Sequence, residues 1–201
     1  MIEKSLILLK PDALQRGLVG EILSRFERVG LKIVALKMFY ADKELAGKHY
    51  ADDKDWIIGV GNKAIKSAEM QGKKINETAL EIGLRVRNQL IEYITMSPTI
   101  AVVLEGHEAV KIVRKLVGDT NPHTSPPGTI RGDYTIDSYE LADKSSRSIQ
   151  NLIHASSSKA EAEREIKVWF KDEDLHVWER VDDDLIYRGL NGRKNIKDKS
   201  Y

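Results

Sequence analysis

Two places in the chain carry side chains able to do more than hold a fold. His154 closes the short apolar run Asn151-Leu152-Ile153 and is followed by the small polar residues 156–158. A histidine where a strand gives way to a helix start lies at a sheet edge. Neutral imidazole is a good nucleophile that titrates near neutrality. Eleven residues on, Glu165 lies in a helix that can turn its carboxylate back toward the ring. The second place is the loop 118–133, GDTNPHTSPPGTIRGD, with Thr120 and Arg131, and with Arg114 four residues before it. A loop of about 15 residues without secondary structure is uncommon in a compact domain unless it is functional. Guanidinium groups grip phosphate oxygens in bidentate fashion. Each feature also has a plainer reading: His154 as a structural histidine, and the loop as a rigid surface segment with solvated arginines.

The elements that must position these groups follow from periodicity. Residues 5–9 form an apolar run ended by Pro11, a buried strand. Leu18, Val19, Ile22, Leu23 and Phe26 mark one helical face that Gly30 closes. Residues 31–40 read as a second strand, and Asp42 caps a short helix through Tyr50. Val86, Leu90 and Ile94 mark another helical face; 99–104 (TIAVVL) is a third strand. Ala109, Ile112, Val113 and Leu116 give the next helix, and 149–153 the fourth strand. Ser158 and Glu161 form a capping-box pattern for a helix running to about Phe170. Stripped of additions the order is β-α-β-β-α-β, which predicts an α+β, ferredoxin-like fold with a four-stranded antiparallel sheet covered by helices. That fold hosts many functions and decides none by itself.

Two stretches interrupt the pattern. Residues 56–80 carry Gly59, Gly61 and Gly72 with scattered lysines and weak periodicity, and read as an insertion or mobile excursion. Residues 137–148 are polar and read as a second insertion; the tail 188–201 is polar and lysine-rich. The whole, 1–201, is expected to be a single domain.

Composition narrows the classes. Lys plus Arg total 32 and Asp plus Glu 31, a net charge of +1, so nothing pulls the whole chain toward nucleic acid or an anionic membrane. An RNA-binding module of this fold needs aromatics on its sheet and a basic face, and only 6% of residues are aromatic. There are no cysteines, hence no disulfides or thiolate metal sites. No histidine pair has metal-ligand spacing; His107 and His176 read as surface residues, and His49 has no obvious partner. Gly59-Val60-Gly61 lacks the Lys-Ser/Thr ending of a phosphate loop. No stretch approaches the roughly 20 apolar residues of a membrane span, and the start has too short an apolar core for a signal peptide. A soluble cytoplasmic protein is expected, with the sequon at 76–78 an accident.

The motifs, taken together, resemble those of the nucleoside diphosphate kinases. Lys10-Pro11-Asp12 with 15–22 (QRGLVGEI), His49-Tyr50, 118–122 (GDTNP), 127–133 (PGTIRGD), 151–156 (NLIHAS) and 162–166 (AEREI) occur in the family's order over nearly the whole chain. The resemblance implies that His154 is the nucleophile. It takes the γ-phosphate from a nucleoside triphosphate and gives it to a diphosphate in a ping-pong cycle. Glu165 and Ser156 hold its ring; Lys10, Tyr50, Arg114, Thr120, Arg131 and Asn151 form the nucleotide-binding set. Lys10 and Asn151 are expected at the sugar hydroxyls and the rest at the phosphates. It further implies nucleoside di- and triphosphates (ATP, ADP, GTP, GDP) as partners, with Mg²⁺ carried by their phosphates and no protein metal cage. A homo-oligomer is implied, hexamer favoured. A catalytically weak, nucleotide-binding regulatory relative is the competing reading.

The chain departs from the family pattern in places. Ala155-Ser156-Ser157 stands for Gly-Ser-Asp, and Tyr50 is far from the Ser97-Pro98 turn. By count Ile58 falls where relatives stack an aromatic on the base, and Trp56 where they carry an arginine. The first departure is a small change beside the nucleophile; the insertion after Tyr50 and the one at 137–148 concern the nucleotide-binding lip and not the transfer residues.

Overall fold

The computed structural model describes residues 2–50, 53–70, 72 and 74–187. The lysine-rich tail from 188 lies outside them. In chain order the elements are β1 (Ile2–Leu9), α1 (Pro11–Gln15), α2 (Val19–Arg28), β2 (Lys32–Phe39), α3 (Lys43–His49), α4 (Lys54–Met70), α5 (Ala79–Thr95) and β3 (Thr99–His107). There follow α6 (Ala109–Val117), α7 (Ile130–Tyr134), α8 (Tyr139–Lys144), β4 (Ile153–Ala155), α9 (Lys159–Trp169) and α10 (Asp183–Ile186). The sheet order is β2-β3-β1-β4, with all neighbours antiparallel. This is the ferredoxin-like arrangement that the element order predicts.

The apolar run of β1 is explained by its central place. Ile7 and Leu9 join one core with Ile22, Phe26, Val113 and Ile153; Leu6 and Leu8 join a second with Ala46, Ile94, Ile166 and Trp169. Alternate side chains point to opposite faces of a strand, and here helices cover both. Register then fixes the placement of His154. It pairs with Leu8, so it projects to the Leu8 face, toward α3 and α9. Ile153 and Ala155 on either side enter the other core.

The structure corrects or refines four expectations. Strand β4 covers only Ile153–Ala155, not 149–153, because the preceding residues turn sharply: Leu152 is fully buried at φ 67. The loop 118–133 is not structureless. It contains a 3-10 turn at Pro122–Thr124, capped by Asn121, and the start of α7, capped by Thr129. The polar stretch at 137–148 holds α8, capped by Ser138.

The fourth correction is the largest. The segment 56–80 is mostly helix, and α4 packs along α5 as a hairpin. Its periodicity is weak because the contact is made by glycines. A Cβ on Gly61 would lie 1.8 Å from the carbonyl oxygen of Ala79, and one on Gly83 2.0 Å from that of Ile57. The two helices therefore touch backbone to backbone. Gly83→Ala should force them apart at a cost of about 3 kcal/mol, lowering Tm by roughly 6–12 °C in a chain of this size. Gly59 has nothing within 4 Å of its would-be Cβ, so Gly59→Ala should raise Tm through helix propensity alone. Thermal unfolding of the two variants checks both signs; a harmless Gly83→Ala would contradict the packing.

Candidate active site

The site is assembled at the end of β1, where Lys10 leaves the sheet, beside the turn into β4. Asp12 ties these together. Its carboxylate accepts from the backbone N–H of Ala13 and, at 3.0 Å, from that of Leu152. The Lys10 N–H donates to the Leu152 carbonyl at 2.8 Å. These bonds hold Leu152 in the left-handed region, which costs a non-glycine residue about 1–3 kcal/mol. The turn orients Asn151, whose Oδ1 accepts from Lys10 Nζ at 2.8 Å and whose Nδ2 donates to the Thr120 carbonyl at 2.8 Å. Lys10, Asn151 and Thr120 thus share one wall.

Arg131 lies beneath it, 4% exposed. Its guanidinium donates to the carbonyls of Asn151, Gly118, Asp119 and Ile153. Of the five N–H groups of an arginine, four are spent on backbone. Arg131 therefore braces the loop against β4 and offers charge plus a single N–H to a ligand. Burial, and next the charge of Arg114, bring its pKa down to about 10, so it remains cationic at neutral pH. Arg114 itself is exposed at the end of α6.

Lys10 is 5% exposed, with Nζ over the Tyr93 ring at 5.3 Å. Burial, then the charge of Arg131, lower its pKa to about 7. A neutral fraction must take up a proton before it can face an anion. ADP binding should therefore be accompanied by proton uptake above pH 7, with affinity weakening as pH rises. Calorimetry of ADP binding at pH 8 in buffers of different ionisation enthalpy checks this; no buffer dependence would contradict it.

His154 is 20% exposed. Its Nε2 lies 3.0 Å from both oxygens of Glu165, and the Ser156 hydroxyl donates to Glu165 Oε2 at 2.6 Å. With a carboxylate at Nε2, the tautomer assigned is Nε2–H, leaving the Nδ1 lone pair free. Burial, then the charge of Lys10, hold the His154 pKa well below its ordinary value, so the ring is neutral. Burial raises that of Glu165.

His49, without a partner in the sequence reading, is in fact at the centre. It is 3% exposed and accepts at Nδ1 from the Trp169 indole at 3.2 Å. Its ring stands 4.5 Å from that of His154 at 89°. His49, His154 and Glu165 put ligand atoms within 4.8 Å of one another. Because Nδ1 of His49 and both oxygens of Glu165 are already bonded, the trio reads as a hydrogen-bonded network and not as a metal triad. Tyr50 is buried beside His49, with its hydroxyl unpartnered among the described residues and its ring 6.5 Å from that of Trp56. Arg87 on α5 donates to the Tyr50 carbonyl at 2.8 Å, so the helical hairpin pins the end of α3. Tyr139 on α8 faces Arg131 and Thr120. Asp12, Arg87, Tyr93 and Tyr139 were not singled out by sequence; only Asp12 lies in a motif that could have flagged it.

Bonds thus link Lys10, Asn151, the Thr120 carbonyl and Arg131 on one side, and His154, Glu165 and Ser156 on the other, at the end of the sheet where β1 meets β4. The family model for nucleoside diphosphate kinase matches residues 3–57 and 63–175. The chain belongs to the nucleoside diphosphate kinase family. It is 49% identical over 179 residues to a nucleoside diphosphate kinase from Pyrobaculum aerophilum, covering 87% of this chain and 98% of that one. It is 40% identical over 183 residues to the one from Borreliella burgdorferi, covering 91% and 96%. Among solved structures, an NDP kinase from Pyrobaculum aerophilum superposes with a TM-score of 0.85 at 47% identity over 88% of this chain and all of that one. A nucleoside diphosphate kinase from Borrelia burgdorferi, a transition-state mimic with bound vanadate and ADP, gives 0.74 at 39% identity over 92% of this chain and 96% of that one. As a nucleoside diphosphate kinase, the protein is a phosphotransferase that moves a γ-phosphate from a nucleoside triphosphate to a nucleoside diphosphate. Among the described residues no helix is long and apolar enough to cross a membrane.

Proposed function

We propose that transfer runs through His154, and the observation that carries this is its Nε2 held 3.0 Å from both oxygens of Glu165, which assigns the proton to Nε2 and the nucleophilic lone pair to Nδ1. Nδ1 attacks the γ-phosphorus; the N–P bond forms as the bond to the bridging oxygen breaks, and the diphosphate leaves. The ring gains positive charge, and its Nε2 proton is shared with or passed to Glu165, whose raised pKa suits it to accept. Ser156 keeps the carboxylate aligned. The second diphosphate reverses each step, so one site serves both nucleotides. Lys10, Tyr50, Arg114, Thr120 and Arg131 supply charge and donors for the phosphates and, with Asn151, for the sugar. The ADP and vanadate held by the Borrelia relative support this assignment.

Mg²⁺ fits as part of the nucleotide. Apart from the Asn151 amide the neutral and charged donors gathered here are basic or hydroxylic, and both carboxylates are taken up, Asp12 by the backbone N–H groups of Ala13 and Leu152 and Glu165 by His154 and Ser156. Phosphate oxygens would therefore hold the ion, which neutralises charge on the transferring group. The hairpin α4–α5 and helix α8 are read as the walls of the nucleotide lip within a single domain; they touch the nucleotide-binding set through Tyr93, Arg87 and Tyr139 and leave His154, Glu165 and Ser156 to β4 and α9. The exposed Leu36 and Met38 on the edge strand β2 support a homo-oligomer.

Initial rates should give parallel double-reciprocal lines when both nucleotides are varied. Intersecting lines would require a ternary complex and contradict the single-histidine cycle.

A further inference from the structure

We propose that His49 is a positioning residue of the transfer reaction: fixed as the Nε2–H tautomer by the Trp169 indole, its ring is an uncharged wall that keeps His154 and Glu165 in register. The inference rests on the role given to His154 above.

Geometry carries the argument. An indole N–H can only donate, so the 3.2 Å bond from Trp169 Nε1 makes His49 Nδ1 an acceptor and puts its proton on Nε2. That Nε2 is buried with no partner among the described residues. A buried donor left unmatched is unfavourable, and a phenylalanine would fill the same space without it. What phenylalanine cannot do is accept from Trp169. The acceptor nitrogen is also the atom that faces the site: His49 Nδ1 is 3.7 Å from Glu165 Oε1. The ring abuts His154 at 4.5 Å and 89° and its own neighbour Tyr50 at 4.7 Å, so it limits the swing of the His154 imidazole.

Charge decides why the wall must be neutral. A cation at 49 would pull the Glu165 carboxylate off His154 Nε2. It would also oppose the positive charge that grows on the His154 ring as the N–P bond forms. The groups facing His49 are His154 on β4, Glu165 and Arg164 on α9, and Lys10 after β1. Glu165 alone favours a proton on His49; burial, His154, Arg164 and Lys10 all oppose it. The Trp169 N–H blocks the one nitrogen close to Glu165.

The test compares variants in single-turnover phosphorylation of His154 by ATP, with ADP affinity measured alongside. His49→Asn keeps an uncharged acceptor where Nδ1 sits; His49→Phe keeps a ring without one. His49→Phe should slow phosphorylation about tenfold or more while ADP affinity stays within about threefold, and His49→Asn should recover most of the rate. Trp169→Phe frees Nδ1 for protonation, so a second proton joins that of the His154–Glu165 pair and the acidic limb of the rate profile should steepen and move up in pH. The double variant His49→Asn/Trp169→Phe should lack that shift, because asparagine does not titrate. Equal rates for folded His49→Phe and His49→Asn, or an unmoved limb in Trp169→Phe, would overturn the proposal. Failure of the wild-type chain to take a phosphate from ATP on His154 is a separate result, which would overturn the reading beneath it.

Discussion

His154→Ala is expected to abolish phosphate exchange while leaving fold and ADP affinity close to those of the parent chain. The side chain is a nucleophile, so removing it removes the covalent route and not merely an alignment. The residual rate should fall by at least about 10⁴-fold, the scale seen when a covalent catalytic group is lost. The fold should tolerate the change. His154 is partly exposed and, among the described residues, its side chain is bonded to Glu165 alone, and the backbone pairing of Leu8 with position 154 remains. Binding should persist because the basic wall of Lys10, Asn151 and Arg131 is built from bonds that His154 does not share. Coupled-assay rates with calorimetric ADP affinity check the pair of outcomes. More than a few per cent of parent activity would exclude His154 as nucleophile; lost ADP binding with lost activity would make it a structural residue.

Glu165→Gln should cost about 10²-fold in kcat/KM, the lower end of general acid–base contributions. Glutamine is isosteric, and its carbonyl can still accept from His154 Nε2 and from Ser156, so orientation is kept. It cannot take the Nε2 proton as the ring becomes cationic. The pH profile separates this from simple loss of packing. Burial raises the Glu165 pKa, so the parent loses its carboxylate as pH falls through a value above the usual carboxylate range. The acidic limb of its rate profile should lie correspondingly high. That limb reports the His154–Glu165 pair and not one residue. In Glu165→Gln the carboxylate part of it should vanish, leaving a low rate that is flatter toward acid. A variant with near-parent rate and an unchanged limb would show that Glu165 is only a support.

Much of this was legible in the sequence, for identifiable reasons. β1 reads as a strand because its residues 6–9 are buried on both faces and hence uniformly apolar. α3 and α9 announce themselves through Asp42 and Ser158, both of which cap as expected. The residues assigned to transfer came from the family motifs; taken singly, His154 and the loop 118–133 each kept a plainer reading. What was hidden has physical causes too. α5 shows its apolar face at Val86, Leu90 and Ile94, but α4 meets it through glycines, which leave α4 little apolar stripe to detect. β4 is only three residues long, below any periodicity. His49 gave no signal because its partners, Trp169, His154 and Glu165, are more than 100 positions away in the chain and meet it only across the sheet face. Arg131 looked like a phosphate clamp by type, yet most of its donors brace the backbone; residue type does not disclose how many donors the fold consumes.

The central claim is that phosphate rests on His154 between two nucleotides. Its most direct test is to mix the protein with an equal amount of γ-labelled ATP, with no second nucleotide, and to follow protein-bound label and released ADP together. The account predicts that label and ADP appear in step, that the label is acid-labile and alkali-stable and maps to His154, and that added GDP carries it off as GTP. Label that fails to appear until GDP is present, or that is acid-stable and maps to a serine, would contradict it.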